Sequence, residues 1–469
     1  MNHIAIIRVL SYMVLVLGGI MVLPLLFALV YGETSQIMAF GLAGLLTVVL
    51  GGMCLQLTAQ PTRRSHVNDA LAVAVLWCLG APIPAALPFV FGTAEPSFVA
   101  GLHEAVSCLT TTGHSVIDLD GNDWPISLLV WRGVLHCIGT VFSLVLAASV
   151  FAALSLGGAG VQRSVLFTVP DGSFFDAIPR VLRAVLVVCG SLIVGIFAAL
   201  LFAGVQPGQA LSLAISVVST GLVDPAQAGQ LVSGTSAIFI VFTGLILAAS
   251  GLSVLMNLSP KRLRFAVVDA ELYLLLGLVG LLGVLAWLGG LNVFNAIGWA
   301  VSSLSTSGLS LGVPMSEVKS VLPITVLILP ALIGGAALST AGGIKLARII
   351  ILLRRAVQEF AQLGFQNSVV ALRFRNRPQK QSSVLGVWVY LIAYIAAVSL
   401  VFIVLSFLGE GFGASMSVAV GAISNSGWLI ELGDGNTVSK HLVVIFAMVL
   451  GRLEILALLP ALNPAFWRA

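Results

Sequence analysis

The chain has 469 residues, of which 59 % are hydrophobic and only 9 % charged, with a formal net charge of +4 and a mean hydropathy of +1.11. A water-soluble domain carries about 25 % charged residues, so this composition excludes a soluble globular protein. The small positive balance gives no reason to expect a nucleic-acid partner, and Cys54, Cys78, Cys108, Cys137 and Cys189 are scattered through apolar stretches as packing residues without metal-ligand spacing.

The first apolar run, residues 9–31, is too long for a cleaved leader, and a second, 37–58, follows at once. Further runs at 185–202, 237–258 and 441–459 are each about long enough to cross a hydrocarbon core as a helix. Basic residues gather at alternate loops: Arg8; Arg63 and Arg64; Arg163, Arg180 and Arg183; Lys261, Arg262 and Arg264; the stretch from Lys345 to Lys380; and Arg468. The loops between them carry Glu33, Glu95, Glu104, Asp118, Asp120, Asp123, Asp224, Glu317, Glu410, Glu431 and Asp434, opposed only by Lys319 and Lys440. The positive-inside rule makes the basic loops and both termini cytoplasmic and the number of crossings even. The acidic outer face raises the local cation concentration.

One pattern recurs four times: an apolar crossing, a short helix, a small polar tetrad ending in glycine, then a second crossing. The tetrads are Thr110-Thr111-Thr112-Gly113, Val218-Ser219-Thr220-Gly221, Ser305-Thr306-Ser307-Gly308 and Ser424-Asn425-Ser426-Gly427. The short helices before them, 97–109, 208–218, 292–304 and 413–423, cannot span and must dip into the membrane and return. Such irregular backbone is tolerated at that depth only where it is buried in protein or lines a watery cavity. Backbone carbonyls there can replace the hydration shell of a cation, glycine lets successive carbonyls turn to one side, and each short helix aims its negative end at the loop. The fold expected is an all-α polytopic membrane protein: two leading transmembrane helices (1–65) and four parallel crossing–pore-loop–crossing repeats (66–165, 166–264, 265–380 and 381–469) around one pore.

The stretch 322–356 is interrupted by Gly334-Gly335 and by Ser339-Thr340-Ala341-Gly342-Gly343, so it does not hold an unbroken helix and can form a flap across the inner pore. Arg452 falls inside the last apolar run, where a fixed charge is costly and forms an electrostatic barrier to cations, unless it pairs with Glu454. Arg132 is expected to bond to pore-loop backbone, Glu104 to a neighbouring loop, Lys345 and Arg348 to anchor the inner surface, and Asp269 and Glu271 to serve as cytoplasmic caps and salt-bridge partners. His114 is expected at the outer pore mouth, where mild acid charges it.

These residues resemble the Trk/Ktr/HKT superfamily of potassium transporters, and most closely its bacterial Trk-type membrane subunit. The resemblance runs through residues 9–33 with Tyr31-Gly32-Glu33, through His103-Glu104-Ala105-Val106-Ser107-Cys108-Leu109, Trp131-Arg132 and Asp269-Ala270-Glu271, and through Ser339-Thr340-Ala341-Gly342-Gly343-Ile344-Lys345. It ends at Gly451-Arg452-Leu453-Glu454 and Pro464-Ala465-Phe466-Trp467-Arg468. It implies potassium uptake across the cell (inner) membrane, potassium held at the four tetrads, and an intramembrane gating loop at Ser339, Thr340, Ala341, Gly342 and Gly343 with Arg452. It further implies a homodimer with one pore per protomer and a separate cytoplasmic nucleotide-binding regulator, since this chain has no P-loop and no Gly-x-Gly-x-x-Gly of its own. No cofactor beyond the transported ion is expected.

The sequence departs from the family at His114, at Leu222 after Gly221, and at Trp428 after Gly427. The alternative function is an ion-coupled secondary transporter of an organic solute, which often has inverted repeats. Repeats that all begin and end inside favour a pore. A bilayer enzyme needs clustered carboxylates or histidines, and His3, His66, His103, His114, His136 and His441 are expected to make no such cluster.

Overall fold

The computed structural model describes residues 1–58, 66–93, 97–117, 124–151, 174–228, 232, 234–256, 269–364, 373–374, 377–378, 381–433, 437–461 and 463–468. Arg63, Arg64, Arg163, Lys261, Arg262, Arg264, Lys380, Glu95, Asp118, Asp120, Asp123 and Asp434 lie outside the described residues, as do the expected repeat boundaries at 65, 165, 264 and 380.

The described chain is helical apart from a two-residue antiparallel pair, Arg373–Phe374 with Arg377–Pro378. Among the described residues seven helices or helix pairs are long and apolar enough to cross a membrane: His3–Tyr31, Thr34–Gln56, Val67–Gly92, Ile126–Ser149, Ile178–Phe202, Ala270–Leu288 and Val384–Phe407. Thr235–Ser250 is a shorter apolar helix, and Thr437–Arg452 is a helix of 16 residues. The first span is not one continuous helix. His3–Ile20 stops and Val22–Tyr31 begins around Met21. Pro24 lacks the N–H that would bond back to Ile20 and its ring crowds that carbonyl. The third span breaks at Ala81 in the same way, before Pro82.

Four helices of 12 or 13 residues stand apart from these spans: Phe98–Leu109, Pro207–Ser219, Val293–Leu304 and Phe412–Ile423. Their starts have local causes. The Ser97 side chain accepts from Ala100 N, the Asn292 side chain accepts from Asn295 N, and Pro207 takes a first-turn position where its missing N–H costs nothing. Close approach places them. A Cβ on Gly139 would overlap the Leu109 carbonyl, and one on Gly451 the Ile423 carbonyl. The crossings that follow the first and fourth short helices are therefore pressed onto the helix ends at a glycine.

The packing is inverted relative to a soluble protein. Large apolar side chains such as Val30, Phe202 and Phe407 are exposed on the perimeter, while serines and threonines of the four loops are buried at the centre. That distribution suits a molecule surrounded by lipid. At one end of the molecule, Lys319 pairs with Glu431 and Lys440 with Glu410 at 2.8 Å. The two lysines that broke the acidic pattern are thus matched by acids of the same face.

Candidate functional site

Each short helix ends in the same way. A backbone N–H just past the helix bonds to the carbonyl five residues back: Thr112 to Ser107 at 2.8 Å, Gly221 to Ser216 at 3.2 Å, Ser307 to Ser302 at 3.0 Å and Ser426 to Gly421 at 2.7 Å. The residue before that N–H has a left-handed backbone in all four: Thr111, Thr220, Thr306 and Asn425, with φ between 51° and 62°. Side chains other than glycine rarely adopt this conformation, and it persists only where surrounding packing imposes it.

These bonds fix a register that differs from the expected one in the second repeat. Gly221 is equivalent to Thr112 and Ser307, and Leu222 to Gly113 and Gly308. The second tetrad is therefore Ser219-Thr220-Gly221-Leu222, and Val218 belongs to its short helix, which runs on to Ser219. The glycines align by residue type, but the helix end and the left-handed threonine set the register. The role given to glycine is also corrected. Gly113 and Gly308 have positive φ, at 79° and 73°, but Gly221 and Gly427 do not. Those two serve close approach instead: a Cβ on Gly221 would overlap the Thr111 carbonyl, and one on Gly427 the Thr112 carbonyl.

The loops close into a ring. Loop one meets loop two where Gly113 abuts the Leu222 backbone, and loop two's following segment meets loop three's through Val232 N to Ser310 O at 3.4 Å. Loop three meets loop four where Gly308 faces Trp428, and a Cβ on Gly308 would lie 2.6 Å from the Trp428 Cβ. Loop four returns to loop one through Gly427 N to Thr112 O at 3.1 Å and Asn425 Nδ2 to Thr112 Oγ1 at 3.1 Å. All sixteen expected tetrad residues are buried, and the C-terminal, negative ends of the four short helices lead into this ring.

Sequence reasoning missed the serines that brace it. Ser107 Oγ donates to His114 O at 2.6 Å, Ser302 Oγ donates to Leu309 O at 2.7 Å, and Ser216 Oγ accepts from Val223 N at 3.0 Å. Each reaches seven residues ahead, from the helix to the outgoing strand. The matching residue in the fourth repeat is Gly421, and there the chain turns into a short 3-10 segment, Gly427–Leu429. A serine two residues before the last helical position was the available signal in repeats one and three.

Arg132 and Glu104, both fully buried, form an ion pair above the first two loops. Glu104 Oε1 also accepts from Ser115 Oγ at 2.6 Å and Val116 N at 2.7 Å, and Arg132 donates to Val223 O at 2.7 Å and Leu222 O at 3.2 Å. His114 is half-buried, with Nδ1 3.0 Å from His103 Nε2, and the His441 ring centre lies 5.2 Å from that of His103, so three histidines expected to stay apart meet here.

Below the ring, helix Ile324–Ile333 ends at Gly334 and helix Leu346–Gly364 begins after Lys345. The twelve residues between them lie against the end of the second short helix and against the third and fourth loops. Thr340 Oγ1 donates to Val218 O at 3.1 Å, Gly342 N donates to Thr306 Oγ1 at 3.1 Å, and Gly342 packs so closely on Ser424 that a Cβ would overlap its carbonyl. Lys345 and Arg348 do not anchor an inner surface. Lys345 is buried and donates to Ser339 O at 3.1 Å and to Ala341 O, and Arg348 pairs with Glu454 and lies 3.8 Å from the Tyr390 ring centre. Glu271 is not at the surface either: it is buried, and its Oε2 accepts from Ala337 N at 2.8 Å. Asp269 does cap, accepting from Glu271 N at 3.0 Å. With Glu454 committed to Arg348, Arg452 turns to the segment itself and donates from Nη1 to Thr340 O at 2.8 Å.

Comparison with known proteins matches this architecture from end to end. The chain is 27 % identical over 482 residues to the Trk system potassium uptake protein TrkH of Halomonas elongata, covering 99 % of both chains. It is 27 % identical over 495 residues to TrkH of Escherichia coli K12, covering all of both. The crystal structure of the potassium transporter TrkH from Vibrio parahaemolyticus superposes with a TM-score of 0.88 over the whole of both chains at 24 % identity, which establishes a shared fold. No protein-family model matches the chain. In sequence over its whole length, and in fold, the chain resembles the bacterial Trk-type membrane subunits.

Proposed function

We propose that this chain takes up potassium across the cell membrane through the ring of four loops. The observation that carries the reading is the ring itself: one backbone turn, repeated four times in one chain and closed by contacts between successive loops. Thr110, Thr111, Thr112 and Gly113, Ser219, Thr220, Gly221 and Leu222, Ser305, Thr306, Ser307 and Gly308, and Ser424, Asn425, Ser426 and Gly427 form the filter in this reading. Their backbone oxygens and hydroxyls replace water around the ion, without a full negative charge that would trap it. Residues Ser339, Thr340, Ala341, Gly342 and Gly343 close the path from below, and Arg452 adds positive charge there.

The four repeats, at 66–165, 166–264, 265–380 and 381–469, follow two leading helices at 1–65, with both termini cytoplasmic and the protein in the inner membrane of the cell. The full-length likeness to Trk system potassium uptake proteins supports the ion. By the same resemblance the subunit pairs as a homodimer and answers to a separate cytoplasmic nucleotide-binding regulator.

The test is flux of potassium, its labelled analogue and sodium into liposomes holding the purified chain. Potassium flux well above sodium flux supports the reading. Equal permeation of both, or uptake only when an organic solute is supplied, overturns it.

A further inference from the structure

A cavity of about 500 Å³ lies away from the ring, between the first helix and the crossings of the first two repeats. Its walls come from residues 9–17, 70–77, 137–149 and 175–186. The first, second and fourth of these stretches are near the starts of their helices, and the third is near the end of Ile126–Leu146. All four therefore come from the same half of the membrane, the half next to residue 1. Arg8 Nη1 bonds to Thr58 O at 3.4 Å, which brings the end of the second span to that same side.

The cavity is apolar and opens to the perimeter. Val16, Tyr12 and Leu186 at its rim are 60 %, 48 % and 51 % exposed, whereas Trp77 at its floor is 4 % exposed. Apolar walls of this kind do not hold water. The surrounding lipid supplies the matching filler, an acyl chain.

The rim nearest residue 1 is basic. Arg8 donates to the Tyr12 hydroxyl at 3.4 Å and lies over its ring, and Tyr12 itself lines the cavity. Arg183 is exposed and follows Leu182 directly, on the flank of the stripe Phe175, Ile178, Leu182 and Leu186 that lines the cavity. The nearby carboxylate of Asp69 is already engaged by the N–H groups of Asn2 and His66 at 2.9 and 2.8 Å. Basic pockets between transmembrane helices on the cytoplasmic side hold anionic lipid headgroups.

We propose that this cleft binds an anionic phospholipid of the leaflet next to residue 1, with an acyl chain against Trp77 and the headgroup phosphate among Arg8, Tyr12 and Arg183. The proposal needs the chain to span a membrane but not the pore to select potassium, so either can fail alone. The bound lipid fills the seam between the leading helices and the repeats.

Trp77 reports it, because so buried an indole meets only a chain inside the cleft. The full chain is reconstituted in phosphatidylcholine vesicles with rising amounts of phosphatidylglycerol brominated on its acyl chains. Brominated phosphatidylcholine serves as the comparison, and subtraction of Trp77→Phe isolates the Trp77 signal. Brominated phosphatidylglycerol should quench it at a mole fraction on the order of tenfold lower than phosphatidylcholine. The double variant Arg8→Gln, Arg183→Gln should bring the two curves together and lower the phosphatidylglycerol that copurifies with the protein, counted by mass spectrometry. That second readout does not depend on Trp77→Phe folding. Absence of quenching by either lipid, identical curves in the unmodified protein, or unchanged copurified lipid in the double variant each overturns the proposal.

Discussion

Arg132 and Arg452 are both buried in a membrane protein, and they are held in opposite ways. Arg132 sits against the carboxylate of Glu104 and donates to the carbonyls of Leu222 and Val223. Arg452 makes one bond, to Thr340 O, and its Nε and Nη2 find no hydrogen-bond partner among the described residues. The nearby carboxylate of Glu454 is given to Arg348 instead. A neutralised and saturated arginine is a structural tie that fastens loop one to loop two. Arg452, bonded to one carbonyl of a loop that crosses beneath the ring, keeps two donor nitrogens without a partner among the described residues, and in the proposed function it is the one that acts on a passing cation. The two residues share a type and differ in their partners, and the proposed roles of brace and barrier rest on that difference.

The comparison can be broken first at Arg132. Arg132→Ala leaves the Glu104 charge buried without its partner, at a cost of about 3–5 kcal/mol. Folded protein should largely disappear on gel filtration, and what remains should melt at lower temperature. Glu104→Gln should be milder, because its amide oxygen can still accept from Val116 N. Normal stability of Arg132→Ala would mean that the pair is no brace.

Arg452→Ala should act on transport and leave folding largely intact. At about 6 Å and an effective dielectric near 20, one positive charge repels a potassium ion by roughly 3 kcal/mol. Removing it raises flux per folded molecule by up to about a hundredfold. Arg452→Lys should keep most of the barrier, and neither variant should change the order of ion preference. Loss of folded protein in both, with no faster flux, would place Arg452 beside Arg132 as a tie.

Gly342→Ala sharpens the same distinction without touching a charge. The new methyl group overlaps the Ser424 carbonyl, so the segment cannot rest against loop four. Flux should rise several-fold with selectivity unchanged, and a variant that gates normally while losing selectivity would contradict the assignment. Gly308→Ala should do the reverse, lowering the potassium-to-sodium permeability ratio, because it strains a backbone at φ 73° and presses on Trp428. Leu222→Gly should change that ratio little, since Leu222 is not in the left-handed region.

The smallest effect is expected at His114. Its ring shares a hydrogen bond with His103, and protonating both rings removes the acceptor. External acid should slow uptake modestly, and His114→Ala should flatten the response. An unchanged profile in that variant removes His114 from any acid response.

The short helices were legible to within two residues at either end, because Ser97, Pro207, Asn292 and Gly411 are local start signals and each tetrad is a local stop. The register of the second loop was not legible. Gly221 matched the other glycines by type, and only its bond to Ser216 O aligns it with Thr112. The bracing serines went unread for the same reason: each bond depends on where the outgoing strand returns, seven residues later. Glu271 and Lys345 looked like surface charges because a charge beside an apolar run reads as its end. Here the chain folds back over both.

The sequence by itself determined the membrane class, the fourfold pattern and the interruption at 334–345. These follow from hydropathy, helix length and glycine content, which act over a few neighbouring residues. The tertiary structure alone decided which charges are neutral pairs and which are not. Pairing joins Arg348 to Glu454 across 106 positions and Arg452 to Thr340 across 112, and no local rule carries information over that separation. At membrane depth a charge can be satisfied only by protein groups brought to it, so the partner that arrives fixes what the residue does.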